Sequence, residues 1–145
     1  MDRLFLDACV VFSAAYNTSS PLRRLWVLKD VRLLTSTLAI EEARRNLAHL
    51  RPERLKDLGR LSAMLEIVVA TLTKAPPEVQ RLPDKDRPIL LAALAGRATH
   101  FLTVDKKHFG FLFGKTVEQV LILSPGEYLR KVEQQIASRT GLHLR

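Results

Sequence analysis

The sequence predicts an α/β fold, a three-layer α/β/α sandwich in which a central parallel sheet lies between two layers of helices. Short apolar segments of strand length alternate along the chain with longer segments of helical periodicity. The 145 residues are 47% hydrophobic and 26% charged, which is typical of a globular domain. No repeat or low-complexity segment divides the chain. We therefore expect one domain over residues 1–137, followed by a basic tail over residues 138–145.

The predicted strands are short and rich in leucine, valine and phenylalanine. We place them at residues 4–6, 31–35, 67–69, 100–104 and 117–123. Asp7 follows the first strand and Asp105 follows the fourth, so a buried strand that ends in an acid occurs twice. Parallel strands present their carboxyl ends at one edge of a sheet, and open α/β sheets bind ligands at that edge.

The predicted helices connect these strands. We place them at residues 8–16, 21–29, 37–50, 52–65, 88–96 and 125–137. Ser36 stands where an N-cap would begin the third helix, and a proline stands in the first turn of four of these helices. Residues 74–83 contain three prolines and are predicted to form a loop with at most a short helix.

The charge of the chain indicates a polyanionic partner such as nucleic acid. The sequence has 23 Lys and Arg against 15 Asp and Glu, a formal charge of +8 at pH 7. Cys9 is the one cysteine and no secretory leader precedes the first strand, so we expect a reducing, cytoplasmic setting. No apolar run approaches the roughly 20 residues that span a bilayer, so no membrane partner is expected.

Acidic residues occur at four of the predicted strand-to-helix junctions or helix starts. They are Asp7, either Glu41 or Glu42, either Asp84 or Asp86, and Asp105. Right-handed crossovers place these junctions on one edge of a parallel sheet, so the acids should converge. Converging carboxylates repel one another, and a hard divalent cation such as Mg²⁺ relieves that repulsion through oxygen ligands. An acidic metal site in a basic protein is consistent with hydrolysis of a phosphodiester.

Three segments, taken in order, resemble the PIN-domain ribonucleases, the superfamily that includes the VapC-type toxins. They are LFLDACVVFSA, TSTLAIEEARRNL and LPDKDRPILLAALAGRATHFLTVDKKHF. The resemblance covers nearly the whole chain and implies a PIN-like fold and an endoribonuclease that uses Mg²⁺ or Mn²⁺ to hydrolyse RNA. Because VapC-type toxins are usually homodimers silenced by a cognate antitoxin, the resemblance also implies an antitoxin protein and a second copy of the chain as partners.

The resemblance assigns roles to individual positions. Carried over one position at a time, the catalytic acids that hold the metal fall on Asp7, Glu42, Asp86 and Asp105. The supporting positions are Thr103, whose hydroxyl would orient a metal-bound water or a ligand carboxylate, and Asp84, which would either support the acid at the third position or bind the metal itself. The basic residues that flank two of the acids, and that we expect to bind RNA phosphates, are Arg44, Arg45, Lys106 and Lys107. Where some members have a further acid, this chain has His108 and Phe109, and neither is assigned a role.

Each acid alone also fits a structural role. Asp7 and Asp86 are good N-cap residues, and Glu42 could pair with Arg45 on a solvated face. Two other functions fit the same pattern. One is a non-catalytic nucleic-acid-binding module of PIN fold, and the other is a phosphoryl-transfer domain that forms an aspartyl phosphate.

Overall fold

The computed structural model describes residues 1–69, 72 and 74–141. Helices cover both faces of a central sheet, and the predicted α/β/α architecture is confirmed. Residues 142–145 of the predicted basic tail lie outside the described residues. Within the part of the chain that the structure describes, we find no helix with the length and apolar character needed to cross a membrane.

The described residues form a six-stranded, mostly parallel sheet. Its strands are β1 (Asp2–Leu6), β2 (Val31–Thr35), β3 (Glu66–Ile67), β4 (His100–Leu102), β5 (Thr116–Val117) and β6 (Val120–Leu123). They lie in the order β3-β2-β1-β4-β6-β5, and every neighbouring pair is parallel except β5 and β6. The central strand β1 therefore lies between β2 and β4. Because all three strands are parallel, their carboxyl ends lie at the same edge of the sheet.

The α-helices connect the strands as parallel crossovers require. They are α1 (Ala8–Tyr16), α2 (Thr37–Leu50), α3 (Leu55–Ser62), α4 (Pro77–Gln80), α5 (Arg87–Ala95), α6 (Lys106–Phe109) and α7 (Pro125–Thr140). Three 3₁₀ segments complete the connections, at Pro21–Val27, Pro52–Arg54 and Gly110–Leu112. As predicted, Ser36 caps α2, with its hydroxyl accepting a hydrogen bond from the Ala39 N–H.

The hydrophobic core has two parts, one on each face of the sheet. Side chains alternate along β1, so Leu4 and Leu6 pack into one part and Phe5 packs into the other. Helices α1, α2, α3 and α7 cover mainly the first part, and α4, α5 and α6 cover the second. Burial on both faces explains why the central strands are continuous apolar runs in the sequence.

The last predicted strand, residues 117–123, is wrong as a single strand. The chain turns back on itself at Glu118 and Gln119, whose φ angles are 46° and 75°, and β5 pairs antiparallel with β6. Two consecutive residues with positive φ form the turn that suits a two-residue hairpin, and Asn-Gly is its usual sequence. Because neither residue here is Asn or Gly, the sequence did not predict the turn.

Several other boundaries differ from the prediction. The helix predicted at residues 21–29 is the 3₁₀ segment Pro21–Val27, and the strand predicted at residues 67–69 is β3, Glu66–Ile67. Strand β4 ends two residues early, at Leu102, and α7 continues to Thr140, three residues beyond the predicted end. None of these differences moves a strand-to-helix junction away from the carboxyl edge of the sheet.

Candidate metal centre

Asp7 and Thr103 lie side by side because β1 and β4 are hydrogen-bonded neighbours. Leu6 pairs with Leu102 in parallel register, and the Asp7 N–H donates to the Leu102 carbonyl oxygen over 3.0 Å. Each residue is the first one after its strand, at the carboxyl edge. The predicted juxtaposition of the first and fourth strand ends is therefore present in the fold.

Asp7 is buried and uses its two carboxylate oxygens differently. Oδ1 caps α1 by accepting a hydrogen bond from the Ala8 N–H at 2.8 Å. Oδ2 accepts hydrogen bonds from the Thr103 hydroxyl at 2.8 Å and from the Cys9 thiol at 3.4 Å. Burial raises the pKa of Asp7 to about 6, with a further contribution from the charge of Asp86, against the opposing effect of the hydrogen bonds. Helix capping and a site role are therefore compatible at Asp7.

Thr103 links the first acid to the fourth. Its fully buried hydroxyl donates to Asp7 Oδ2 and accepts a hydrogen bond from the Asp105 N–H at 3.1 Å. The hydroxyl thus fixes the orientation of the Asp7 carboxylate and the backbone position of Asp105. The resemblance implies that this hydroxyl orients a metal-bound water or a ligand carboxylate, and its contact with Asp7 is compatible with the second of these roles.

We expect Thr103→Val to weaken divalent-cation binding at pH 7 by about 10- to 100-fold, the usual cost of losing a residue that orients a metal ligand. Loss of the hydroxyl removes a hydrogen bond that lowers the pKa of Asp7, so the carboxylate competes less well for the cation. Titration calorimetry with Mn²⁺ measures the change. Thr103→Ser, which keeps the hydroxyl, is the control, and equal affinities for the valine and serine variants would contradict the role.

Asp86, Asp105 and His108 form a compact cluster. Asp105 Oδ1 caps α6 by accepting a hydrogen bond from the His108 N–H at 3.1 Å, and Asp105 Oδ2 lies 2.7 Å from His108 Nδ1. Asp86 Oδ2 lies 3.1 Å from the same ring nitrogen. One donor atom from each side chain lies within 4.8 Å of the other two, a spacing that a single metal ion could bridge.

Asp86 occupies the N-cap position of α5, but its side chain makes no capping hydrogen bond. Its Oδ2 is buried and has no hydrogen-bond partner among the described residues. Burial raises the pKa of Asp86, and the charges of Asp105 and Glu42 raise it further, while those of His108 and Lys85 lower it. The carboxylate is thus free of a capping role and is surrounded by the other predicted acids.

Glu41 and Glu42, which helical periodicity leaves equivalent, have different surroundings. Glu41 accepts hydrogen bonds from Arg44 Nε at 3.1 and 3.2 Å, and its side chain is 46% exposed. The Glu42 side chain is 25% exposed, its Oε1 lies 3.9 Å from Lys85 Nζ, and its charge acts on Asp86. Glu42 therefore lies near enough to the cluster for its charge to act on Asp86, whereas Glu41 pairs with Arg44 on its own helix.

Asp84, the predicted supporting acid, lies on the surface. Its side chain is 95% exposed, and its Oδ1 lies 3.0 Å from Arg87 Nη1. The two aspartates that open α5 therefore differ sharply, since the Asp86 side chain is only 5% exposed. Asp84 is a suitable control position for experiments on Asp86.

The predicted RNA-binding residues lie on the surface around the acids. Arg44 is paired with Glu41, and its neighbour Arg45 is exposed. Lys106 and Lys107 are also exposed and directly follow Asp105. Sequence reasoning missed a cleft of about 500 Å³ that Lys106 lines together with Phe113, Arg130 and Lys131. No spacing signal connects these residues, because β6 and α7 bring the last two there from far along the chain.

His108 is the site residue that the sequence interpretation left without a role. A signal was present, since a histidine three residues after Asp105 at the start of a short helix lies on the same side of the helix as the aspartate. The contact of His108 with Asp86 depends instead on packing between α6 and the start of α5. That contact could not be inferred from spacing.

The residues present fit a divalent cation. Carboxylate oxygens are the preferred ligands of Mg²⁺ and Mn²⁺, and Asp86 offers a buried oxygen that no described group satisfies. Burial is the main cause of the raised pKa values of Asp7 and Asp86, repulsion among the acids adds to it, and a bound cation would relieve that repulsion. The acidic cluster is thus compatible with a metal site.

Comparison with known proteins gives a match in structure but not in sequence. No protein-family model matches the chain, and no curated protein matches it. The chain matches the crystal structure of VapBC2 from Rickettsia felis, which is bound to a DNA fragment from the VapBC2 promoter. The TM-score is 0.65 and the identity is 16%, over 84% of this chain and 98% of that chain. The chain has the PIN-like fold of VapC proteins.

A second toxin–antitoxin structure supports this assignment. VapBC-1 from nontypeable Haemophilus influenzae matches with a TM-score of 0.55 and 12% identity, over 86% of this chain and 98% of that chain. Both matched chains are covered almost completely, and the two matches extend over 84% and 86% of this chain. At these identities the likeness establishes the fold, and the chemistry has to be argued from the side chains.

Proposed function

We propose that this PIN-like protein is a metal-dependent endoribonuclease and the toxin of a toxin–antitoxin pair. The observation that carries the proposal is the convergence of acids at the carboxyl edge, where Asp86 and Asp105 lie within reach of one metal ion. Asp7 and Glu42 extend the cluster, since their charges interact with that of Asp86. These four carboxylates are the proposed metal-binding and catalytic residues, and Thr103 links two of them, Asp7 and Asp105.

The carboxylates would hold Mg²⁺ or Mn²⁺ at the edge of the sheet. When bound, such a cation supplies Lewis-acid stabilisation of a phosphoryl group and activates water for hydrolysis. Asp7 and Asp105 are held rigidly by helix capping and by Thr103, so the site is organised before substrate arrives. Such preorganisation favours the transition state because little reorganisation accompanies the reaction.

RNA is the proposed substrate because the surroundings of the acids are basic. The chain carries +8 overall, and Lys106 and Lys107 lie directly beside Asp105. Lys106 also lines the cleft that contains Arg130 and Lys131, together with the half-buried ring of Phe113 and with Glu127, which pairs with Arg130. Cations beside an aromatic ring are typical of surfaces that bind single-stranded nucleic acid.

The proposed protein partners rest on the family resemblance and on the kind of complex that the matched structures are. The two matched structures are VapBC complexes, and we extend an antitoxin partner to this chain on that basis. A homodimer is proposed because the resemblance to VapC-type toxins implies one. Both can be tested by size-exclusion chromatography coupled to light scattering, first of the chain alone and then with the product of a neighbouring gene.

The proposed activity is tested with a labelled single-stranded RNA and a DNA of the same sequence. We expect the protein to cut the RNA in the presence of Mg²⁺ or Mn²⁺. Cleavage should stop when EDTA is added and resume when excess Mn²⁺ is restored. Asp105→Asn should reduce the rate by at least about 100-fold because it removes a proposed metal ligand. Cleavage that persists in EDTA, or that Asp105→Asn leaves unchanged, would overturn the proposal.

Lys106→Ala should weaken binding to single-stranded RNA and reduce the slope of log affinity against log salt by about 0.7, the value for one phosphate contact. The measurement is a salt series of fluorescence anisotropy titrations in EDTA, so that no cleavage occurs. Lys29→Ala is the control, because Lys29 precedes β2 at the opposite edge of the sheet. Equal slopes for the two variants would exclude Lys106 from the RNA-binding surface.

A further inference from the structure

The ring nitrogen of His108 lies between two carboxylates. Nδ1 is 2.7 Å from Asp105 Oδ2 and 3.1 Å from Asp86 Oδ2. The backbone of the histidine is fixed as well, because its N–H donates to the other oxygen of Asp105. The ring is three-quarters buried, so its position is set by packing as well as by charge.

Neither of these close contacts has the alignment of a hydrogen bond. His108 Nδ1 and Asp86 Oδ2 are both buried and have no hydrogen-bond partner among the described residues. Buried polar atoms without hydrogen-bond partners are costly, so a ring nitrogen and a carboxylate oxygen that lie side by side without a hydrogen bond are candidates to share a bound cation. A cation bound between them would satisfy both atoms at once.

The spacing of the donor atoms suits one metal ion. An octahedral ion with ligands at about 2.1 Å places neighbouring ligand atoms about 3 Å apart, close to both observed separations. All three side chains keep one donor atom within 4.8 Å of the other two. The set therefore consists of two oxygen donors and one nitrogen donor.

We propose that His108 is a ligand of the cation through Nδ1, and that this nitrogen makes the site prefer Mn²⁺ to Mg²⁺. Imidazole nitrogen suits first-row transition metals, whereas Mg²⁺ prefers an all-oxygen site. This inference rests on the proposed metal site but not on RNA cleavage. A histidine that only neutralised the charges of the two aspartates would not bind the cation, so coordination through Nδ1 distinguishes the two roles.

The test is pulsed electron paramagnetic resonance of the Mn²⁺-loaded protein, prepared with ¹⁴N- and with ¹⁵N-labelled histidine. We expect a nitrogen coupled to Mn²⁺ in the wild type, and its signal should change with the label. His108→Asp should abolish the coupling while keeping a carboxylate at the position. His49→Asn, on the exposed side of α2, is the control and should retain it.

Titration calorimetry with each metal alone gives the second readout. His108→Asp should lower the ratio of Mn²⁺ affinity to Mg²⁺ affinity by about 10-fold or more. If Mn²⁺ binds the wild type and depends on Asp86 but shows no histidine coupling, the inference fails while the acidic metal site stands. If the wild type binds no Mn²⁺, both the inference and the proposed metal site are overturned.

Discussion

Asp7→Asn is expected to reduce RNA cleavage by at least about 100-fold and, at the same time, to make the metal-free protein more stable above pH 6. The two effects have one cause. Asp7 is a buried carboxylate, so desolvation makes its charge unfavourable in the folded protein, and the proposed cation would compensate that charge. Asparagine keeps the shape and removes the charge.

The sign of the stability change follows from the raised pKa of Asp7. The unfolded chain releases this proton near pH 4 and the folded protein near pH 6, so the folded state holds more protons between these values. The contribution of Asp7 to the stability of the wild type therefore falls as pH rises through that window, and the loss is complete once the pH is well above 6. A rise from 3.8 to about 6 corresponds to about 3 kcal/mol.

Thermal or urea unfolding in EDTA, at several pH values from 4 to 7.5, measures this difference. Relative to the wild type, Asp7→Asn should gain up to about 3 kcal/mol across the window. Asp30→Asn, at an exposed acid, is the control and should show no such gain. A difference between wild type and Asp7→Asn that does not vary with pH would contradict the buried-charge explanation.

Asp86→Asn is expected to abolish the stabilisation that Mn²⁺ gives to the folded protein. A cation present at 100 times its Kd adds about 2.7 kcal/mol, which raises the Tm of a chain of this size by roughly 5–10 °C. The neighbouring carboxylate Asp84 is 95% exposed and pairs with Arg87, so Asp84→Asn should keep the full increase. Scanning calorimetry with and without Mn²⁺ measures both variants.

This pair of variants separates a specific site from a diffuse effect of charge. Each removes one negative charge from the same loop, only two residues apart. Full Mn²⁺ stabilisation in both variants would mean that the cation binds elsewhere. A loss in both would mean that the overall charge of the loop, rather than the buried Asp86 oxygen, determines binding.

The edge of the sheet was predictable because each strand-to-helix junction carries a local signal. Buried apolar runs mark β1 and β4, an acid follows each run, and the rules of parallel crossovers place these junctions together. The N-cap at Ser36 was equally clear, since a hydroxyl preceding a helical period has few other roles. Short-range patterns and topology were sufficient for these features.

Contacts between elements were not predictable from such patterns. Helical periodicity does not distinguish Glu41 from Glu42, and only packing brings the charge of Glu42 to bear on Asp86. The place of His108 likewise depends on how α6 meets the start of α5. The hairpin at Glu118 and Gln119 lacked the residues that announce such a turn, so its strand was predicted as one continuous run.

The measurement that tests the central claim most directly compares RNA cleavage by Glu42→Gln and Glu41→Gln under single-turnover conditions in Mn²⁺. These residues are neighbours on one helix, and the substitutions are identical in chemistry. If the converging acids form the nuclease site, Glu42→Gln should lose at least about 100-fold in rate, and Glu41→Gln should keep the wild-type rate. Equal rates for the two variants, or cleavage by the wild type that EDTA does not stop, would contradict the assignment.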